Sequence, residues 1–158
     1  MKKILFAALC CCAMLIVSCK KENQSLQSNL FIGANFQNAN WLATPATSYT
    51  ANGDTLVVQG LHSQGDENLL FKINFSGVGV YKLTSANQAS FYTGSANAKT
   101  SNYNLDVTQN NSVTVTGFNA ATGIASGSFQ LSFVKTAGNA AFSNTAGFSM
   151  GQFWIQLP

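Results

Sequence analysis

A chain of 158 residues in which only 8% are charged, with no arginine and one histidine (His62), has little to offer anionic partners or acid–base chemistry. The formal net charge of +3 comes from lysines near the N-terminus. Beyond Glu22, Lys72, Lys82, Lys99 and Lys135 balance Asp54, Asp66, Glu67 and Asp106, which argues against a nucleic-acid partner, since displacing phosphate counterions takes clustered Lys or Arg. The guanidinium fork that clamps phosphates and carboxylates is missing too.

The first element is an export signal. Lys2 and Lys3 precede an apolar run from Ile4 to Val17, and small Ser18 stands directly before Cys19. Ile16-Val17-Ser18-Cys19 resembles the lipobox cut by the lipoprotein signal peptidase. The run is shorter than the ~20 residues of a membrane-spanning helix, and polar Lys20-Lys21-Glu22 follows it. Residues 1–18 are therefore expected to be removed and Cys19 to be acylated, anchoring the chain by lipid (palmitate among the acyl chains) without crossing the bilayer. Uncleaved anchoring and plain secretion are the alternatives. Cys10, Cys11 and Cys12 would leave with the signal, so no disulfide framework is expected.

Residues 19–28 read as a lipidated, flexible polar tether, and residues 29–158 as one domain. Strand candidates then follow between turn signals. Leu30 to Phe36 and Trp41 to Ala43 flank Gln37-Asn38-Ala39-Asn40; Ser48 to Ala51 and Thr55 to Leu61 flank Asn52-Gly53-Asp54, an Asn-Gly hairpin signal. Leu69, Phe71, Ile73 and Phe75 alternate with polar residues, the period of a half-buried strand. Val80 to Leu83 and Ser90 to Thr93 are shorter. Tyr103, Leu105 and Val107 alternate next, and Asn110-Asn111 turns the chain into Val113 to Phe118. Asn119 to Gly123 makes another turn. Ile124 to Val134 carries Phe129, Leu131 and Phe133 on one face, and Phe148 to Leu157 carries Phe153, Ile155 and Leu157 likewise.

About ten short strands with frequent turns predict an all-β domain, a single antiparallel β-sandwich, with a closed β-barrel as the alternative. Its expected core is Phe71, Ile73, Phe75, Leu105, Phe129, Leu131, Phe133, Phe153 and Ile155.

Asn38-Ala39-Asn40-Trp41-Leu42-Ala43, Gly79-Val80-Tyr81-Lys82-Leu83, Val113-Thr114-Val115-Thr116-Gly117-Phe118 followed by Ser126-Gly127-Ser128-Phe129, and the Gly147 to Phe153 stretch together resemble an uncharacterised lipoprotein family of Bacteroidota. The resemblance implies a Gram-negative envelope lipoprotein, most simply in the outer membrane, on its periplasmic face or at the cell surface. It implies no activity and no functional residues.

Candidate sites are few. Gly147-Phe148-Ser149-Met150-Gly151 spells the G-x-S-x-G nucleophile elbow, but that motif needs a following helix and a downstream acid and histidine. The nine residues after Ser149 contain none of these groups, so a glycine-flanked bend or bulge is expected instead. His62, alone at a strand end, reads as a solvated loop residue, and a zinc site would need more nitrogen or sulfur ligands. Asp66-Glu67-Asn68, Asp54 and Asp106 are oxygen donors without a calcium-loop spacing and read as solubilising turn acids. Asp54-Thr55-Leu56 resembles a short acceptor motif for O-glycosylation, a pattern common by chance.

Trp154 is the remaining lead. If Phe153, Ile155 and Leu157 point inward, Trp154 shares the outer face with Gln152 and Gln156, and an aromatic among amides suits stacking on a neutral glycan or peptide; the alternative is a Trp154 covered by a neighbouring strand or loop. The sequence thus predicts no catalytic residues, metal or cofactor. The expected function is a membrane-anchored, non-catalytic binding module using Trp154, Gln152 and Gln156, or alternatively a structural or assembly lipoprotein of the envelope.

Overall fold

The computed structural model describes residues 30–50, 55–62, 64–95 and 98–158. The expected signal, Cys19, the tether and the Asn52-Gly53-Asp54 turn lie outside the described residues.

Strand-forming residues at period two give ten strands. They are β1 (Phe31–Phe36), β2 (Ala39–Tyr49), β3 (Leu56–His62), β4 (Glu67–Ile73), β5 (Gly79–Lys82), β6 (Ala89–Ser95), β7 (Ala98–Leu105), β8 (Ser112–Asn119), β9 (Ile124–Gly138) and β10 (Thr145–Gln156). A three-residue 3₁₀ turn, Ala86–Gln88, leads into β6. All the pairings are antiparallel, and they join the strands into one sheet.

The ladders run β10-β1-β2-β3-β4-β6-β7-β9, and β9 pairs back onto β10, so eight strands form a closed ring. β8 and β5 continue from β9 as a flap. The length of β9 permits this branching: its first half pairs β8 (Ser112↔Gln130 to Asn119↔Ile124) and its second half pairs β7 (Leu105↔Phe133 to Ser101↔Gly138). Closure satisfies backbone groups that an open edge would leave unpaired. The structure is all-β and antiparallel as the sequence predicts, and the two walls that enclose the core belong to one continuous sheet.

Alternation places Ile32, Phe36, Trp41, Leu56, Val58, Leu69, Phe71, Phe91, Tyr103, Leu131, Phe133, Phe148, Phe153 and Ile155 inside, all buried. Every expected core residue is buried except Phe75, which is half-buried and packs edge-on against Phe118, ring centroids 5.1 Å apart. Phe148 is the centre of an aromatic cluster, with Phe36 at 4.7 Å, Phe91 at 5.1 Å, Trp41 at 5.2 Å and Phe133 at 5.9 Å. Such contacts add to the area each ring buries.

Two local features position the surface described next. Gln37 and Asn38 join β1 to β2 as a two-residue hairpin with φ of 51° and 65°, the positive-φ geometry that matches strand twist. The turn is thus tighter than the four residues the sequence suggests. β2 runs through Pro45 and joins the separate candidates Trp41 to Ala43 and Ser48 to Ala51 into one strand as far as Tyr49: β1 pairs only with Ala39 to Ala43, so Pro45 falls where one side of β2 carries no ladder to β1.

Candidate functional site

On β1, Ile32, Ala34 and Phe36 face inward, which turns Phe31, Gly33 and Asn35 outward; on β2, Trp41 and Ala43 face inward and Asn40 and Leu42 outward. The registers Gly33↔Leu42 and Gly33↔Gln152 bring these outer residues beside those of β10. The result is a groove of about 440 Å³ on the outer face of β10, β1 and β2. Gly33 forms part of its floor, with Phe31, Leu42 and Met150 as apolar walls and Asn35, Asn40 and Gln152 as amide rims. The floor is open because Gly33 has no side chain: a Cβ there would lie in ordinary contact, 3.7 Å from both Leu42 and Phe31. Leu42 is 57% exposed and Met150 76%, a large exposure for side chains of this hydrophobicity.

Trp154 projects outward, 43% exposed, and is the register partner of Phe31 on one side and Ser126 on the other. It lines a second hollow of about 330 Å³ with Phe118, Asn119, Thr122 and Ile124. Gln152 therefore belongs to the groove, and Trp154 to the hollow beside it. Gln156 joins neither: its Nε2 donates to the Thr122 carbonyl at 2.8 Å and lies over Gly123, fastening the β8–β9 turn.

The uncharged character of this region is a sequence property. No charged residue occurs from Asn23 to Gly53, from Val107 to Val134 or after Lys135, which takes in β1, β2, β8 and β10 entirely and most of β9.

Ser149 is exposed and sits in β10 where the register slips between Phe148 and Gly151, with Met150 at φ 51°. The strand continues to Gln156 with no helix after the serine. The motif thus marks a bulge, and a Cβ at Gly151 would meet the Phe129 ring at 2.6 Å, which explains the second glycine.

The acids and the histidine are less scattered than the sequence suggests. His62, expected to be a solvated loop residue, closes β3 with its Nδ1 2.8 Å from Asp66 Oδ1 and its ring stacked on Trp41, centroids 6.1 Å apart. Glu67, expected to be a turn acid, opens β4 on the same face as Leu69 and Phe71 and is half-buried. Burial raises its pKa above the usual glutamate value, opposed by the Trp41 N–H and by His62. The pattern could have shown both: His62 continues the inward positions Leu56, Val58 and Gly60, and Glu67 those of Leu69 and Phe71. Asp106 behaves as a turn acid; the Thr108 hydroxyl and backbone N–H donate to it at 2.6 and 3.0 Å and hold its pKa down. The Thr55 hydroxyl donates to Asn74 Oδ1 at 3.0 Å. Among the described residues, no three His, Cys, Asp or Glu gather closely enough to hold a metal ion.

Compared with known proteins, the chain is matched by one family model over residues 28–155, a span that includes β1 to β9 and nearly all of β10. No curated protein and no solved structure matches it.

Proposed function

Because the chain belongs to the family described as a domain of unknown function, DUF6252, its role has to be read from its own surface, and we propose that it is a non-catalytic binding module for a neutral glycan. The observation that carries this reading is the groove over Gly33. It is open and free of charge, with apolar walls from Phe31, Leu42 and Met150 and amides from Asn35, Asn40 and Gln152. Sugar rings present an apolar face and a rim of hydroxyls, and such a lining offers contact area to the first and paired donors and acceptors to the second. Trp154, directly across from Phe31 in the register, extends the apolar surface for a longer chain.

The module is carried on an envelope lipoprotein, with residues 1–18 removed and Cys19 lipidated. This rests on the order of Lys2-Lys3, the apolar run, Ser18 and Cys19. Globomycin treatment or Cys19→Ala should leave unprocessed precursor; unchanged processing and membrane association would refute the anchor.

The groove is tested by pull-down on neutral polysaccharides with the wild-type chain and with Gly33→Val, whose Cβ the structure accommodates. Binding that the valine abolishes while the fold is intact supports the reading. Binding that survives both Gly33→Val and Trp154→Ala moves the site elsewhere, and capture of neutral peptides in place of glycans changes the ligand class.

A further inference from the structure

At the end of the ring beside the β1–β2 hairpin, the inward positions turn polar. Glu67 on β4 is the register partner of Thr93 on β6, and Thr93 that of Ser101 on β7. His62 extends this layer on β3, one step beyond the Leu61↔Asn68 pair. Polar groups inside a ring are costly unless partnered, and two here lack partners: Trp41 Nε1 and Ser101 Oγ are buried without a hydrogen bond. Trp41 is only 3% exposed. The Trp41 N–H favours the ionised Glu67 carboxyl against the effect of burial, yet makes no hydrogen bond of ordinary geometry. Beside this pair opens a cavity of about 310 Å³ whose lining includes Gln37, Asn40, Trp41, His62 and Glu67. Asn40 and Trp41 line both the cavity and the groove.

We propose that this cavity is a second binding site, which takes the hydroxyl-bearing end unit of the neutral glycan whose body lies in the groove. The inference rests on the groove reading for the class of ligand. A hydroxyl can donate to the Glu67 carboxylate and accept from the Trp41 N–H at the same time, which completes both groups. Alternative ligands complete only one of them. An anion would satisfy the indole donor but meet Glu67 and Asp66; a cation would satisfy Glu67 and leave the indole N–H unpaired; an apolar group would satisfy neither. His62, whose Nδ1 is held by Asp66, also lines the cavity.

The chain contains two tryptophans, Trp41 and Trp154, so its two indole N–H signals in a nitrogen-15 NMR spectrum report the Trp41–Glu67 pair at the cavity and the hollow beside the groove. Trp41→Phe and Trp154→Phe assign them. The full chain in detergent micelles is titrated with linear maltohexaose, xylohexaose and mannohexaose, and with cyclic maltohexaose, which has no chain end. The expected result is that a linear probe moves both signals, that the cyclic probe leaves Trp41 unmoved, and that Glu67→Gln weakens the linear probe roughly tenfold, as expected when a hydrogen bond to a charged group is lost. Movement of Trp154 alone by linear probes would overturn this inference and keep the groove. Movement of Trp41 alone that Gly33→Val leaves unchanged would keep the cavity and overturn the groove, and silence of both signals would end both readings.

Discussion

Phe153 lies across Gly127 on the facing strand so closely that a Cβ on Gly127 would come within 2.6 Å of its ring. The same Cβ would stand 2.0 Å from the Thr114 carbonyl oxygen, a contact with backbone that no side-chain rotation relieves. The β8–β9–β10 junction is therefore built on the absence of one methyl group. Gly127→Ala should cost about 1–3 kcal/mol, the range of overpacked sites, and denaturant unfolding measures it; an unchanged midpoint would show that the junction is looser than this packing implies.

Phe148 contacts four other aromatic rings and is 1% exposed. Phe148→Ala should destabilise the domain by about 3–5 kcal/mol through lost burial and the cavity left behind. Phe142→Ala provides the contrast: with Phe142 41% exposed, its loss should stay within about 0.5 kcal/mol. Thermal unfolding of the two variants side by side checks the difference.

Asn111 is a buried polar residue fully engaged by backbone. Its Nδ2 donates to the Asp106 carbonyl at 2.7 Å and its Oδ1 accepts from the Ser132 N–H at 2.8 Å, tying the β7–β8 loop to β9. Asn111→Leu keeps the branched shape and strands the Ser132 N–H, while the Asp106 carbonyl retains the Gln109 N–H, at a cost of about 1–3 kcal/mol. Chemical denaturation is the measurement, and faster amide exchange at Ser132 is the local signature.

Glu67 gives the stability a dependence on pH that runs against that of Asp106. Burial raises the folded pKa of Glu67, so its contribution is fully present below the ordinary glutamate value and is lost as pH rises through the raised one. The Asp106 pKa is lowered by Thr108, so its contribution is present above the ordinary aspartate value and lost as pH falls through the lowered one. Glu67→Gln should therefore flatten the loss of stability on going from mildly acidic to neutral pH and leave the steep acid limb in place. Melting temperatures across that range test it; a wild-type curve that does not fall toward neutral pH would refute the burial argument.

Much of the fold was legible because a strand declares itself by local alternation. Phe71, Ile73, Phe129, Leu131, Phe133, Phe153 and Ile155 could be placed in the core from a period of two, which depends only on successive side chains pointing to opposite faces. The same rule turned Gln152 and Trp154 outward, and the motif around Ser149 could be read as a bulge because nothing downstream could complete a catalytic set. What strand sequence alone cannot carry is which strand lies beside which. That β9 also pairs β7, and that β10 returns to β1 to close the ring, depends on long-range pairing. So does the site: Gly33, Leu42 and Gln152 make a groove only because β10, distant in sequence, shares a register with the β1–β2 hairpin, while Gln156 is drawn away by the Thr122 carbonyl. His62 and Glu67 looked like surface residues one at a time. Closure of the ring puts them at the same inward-facing end, because burial is a property of the enclosed space and no single strand encloses any.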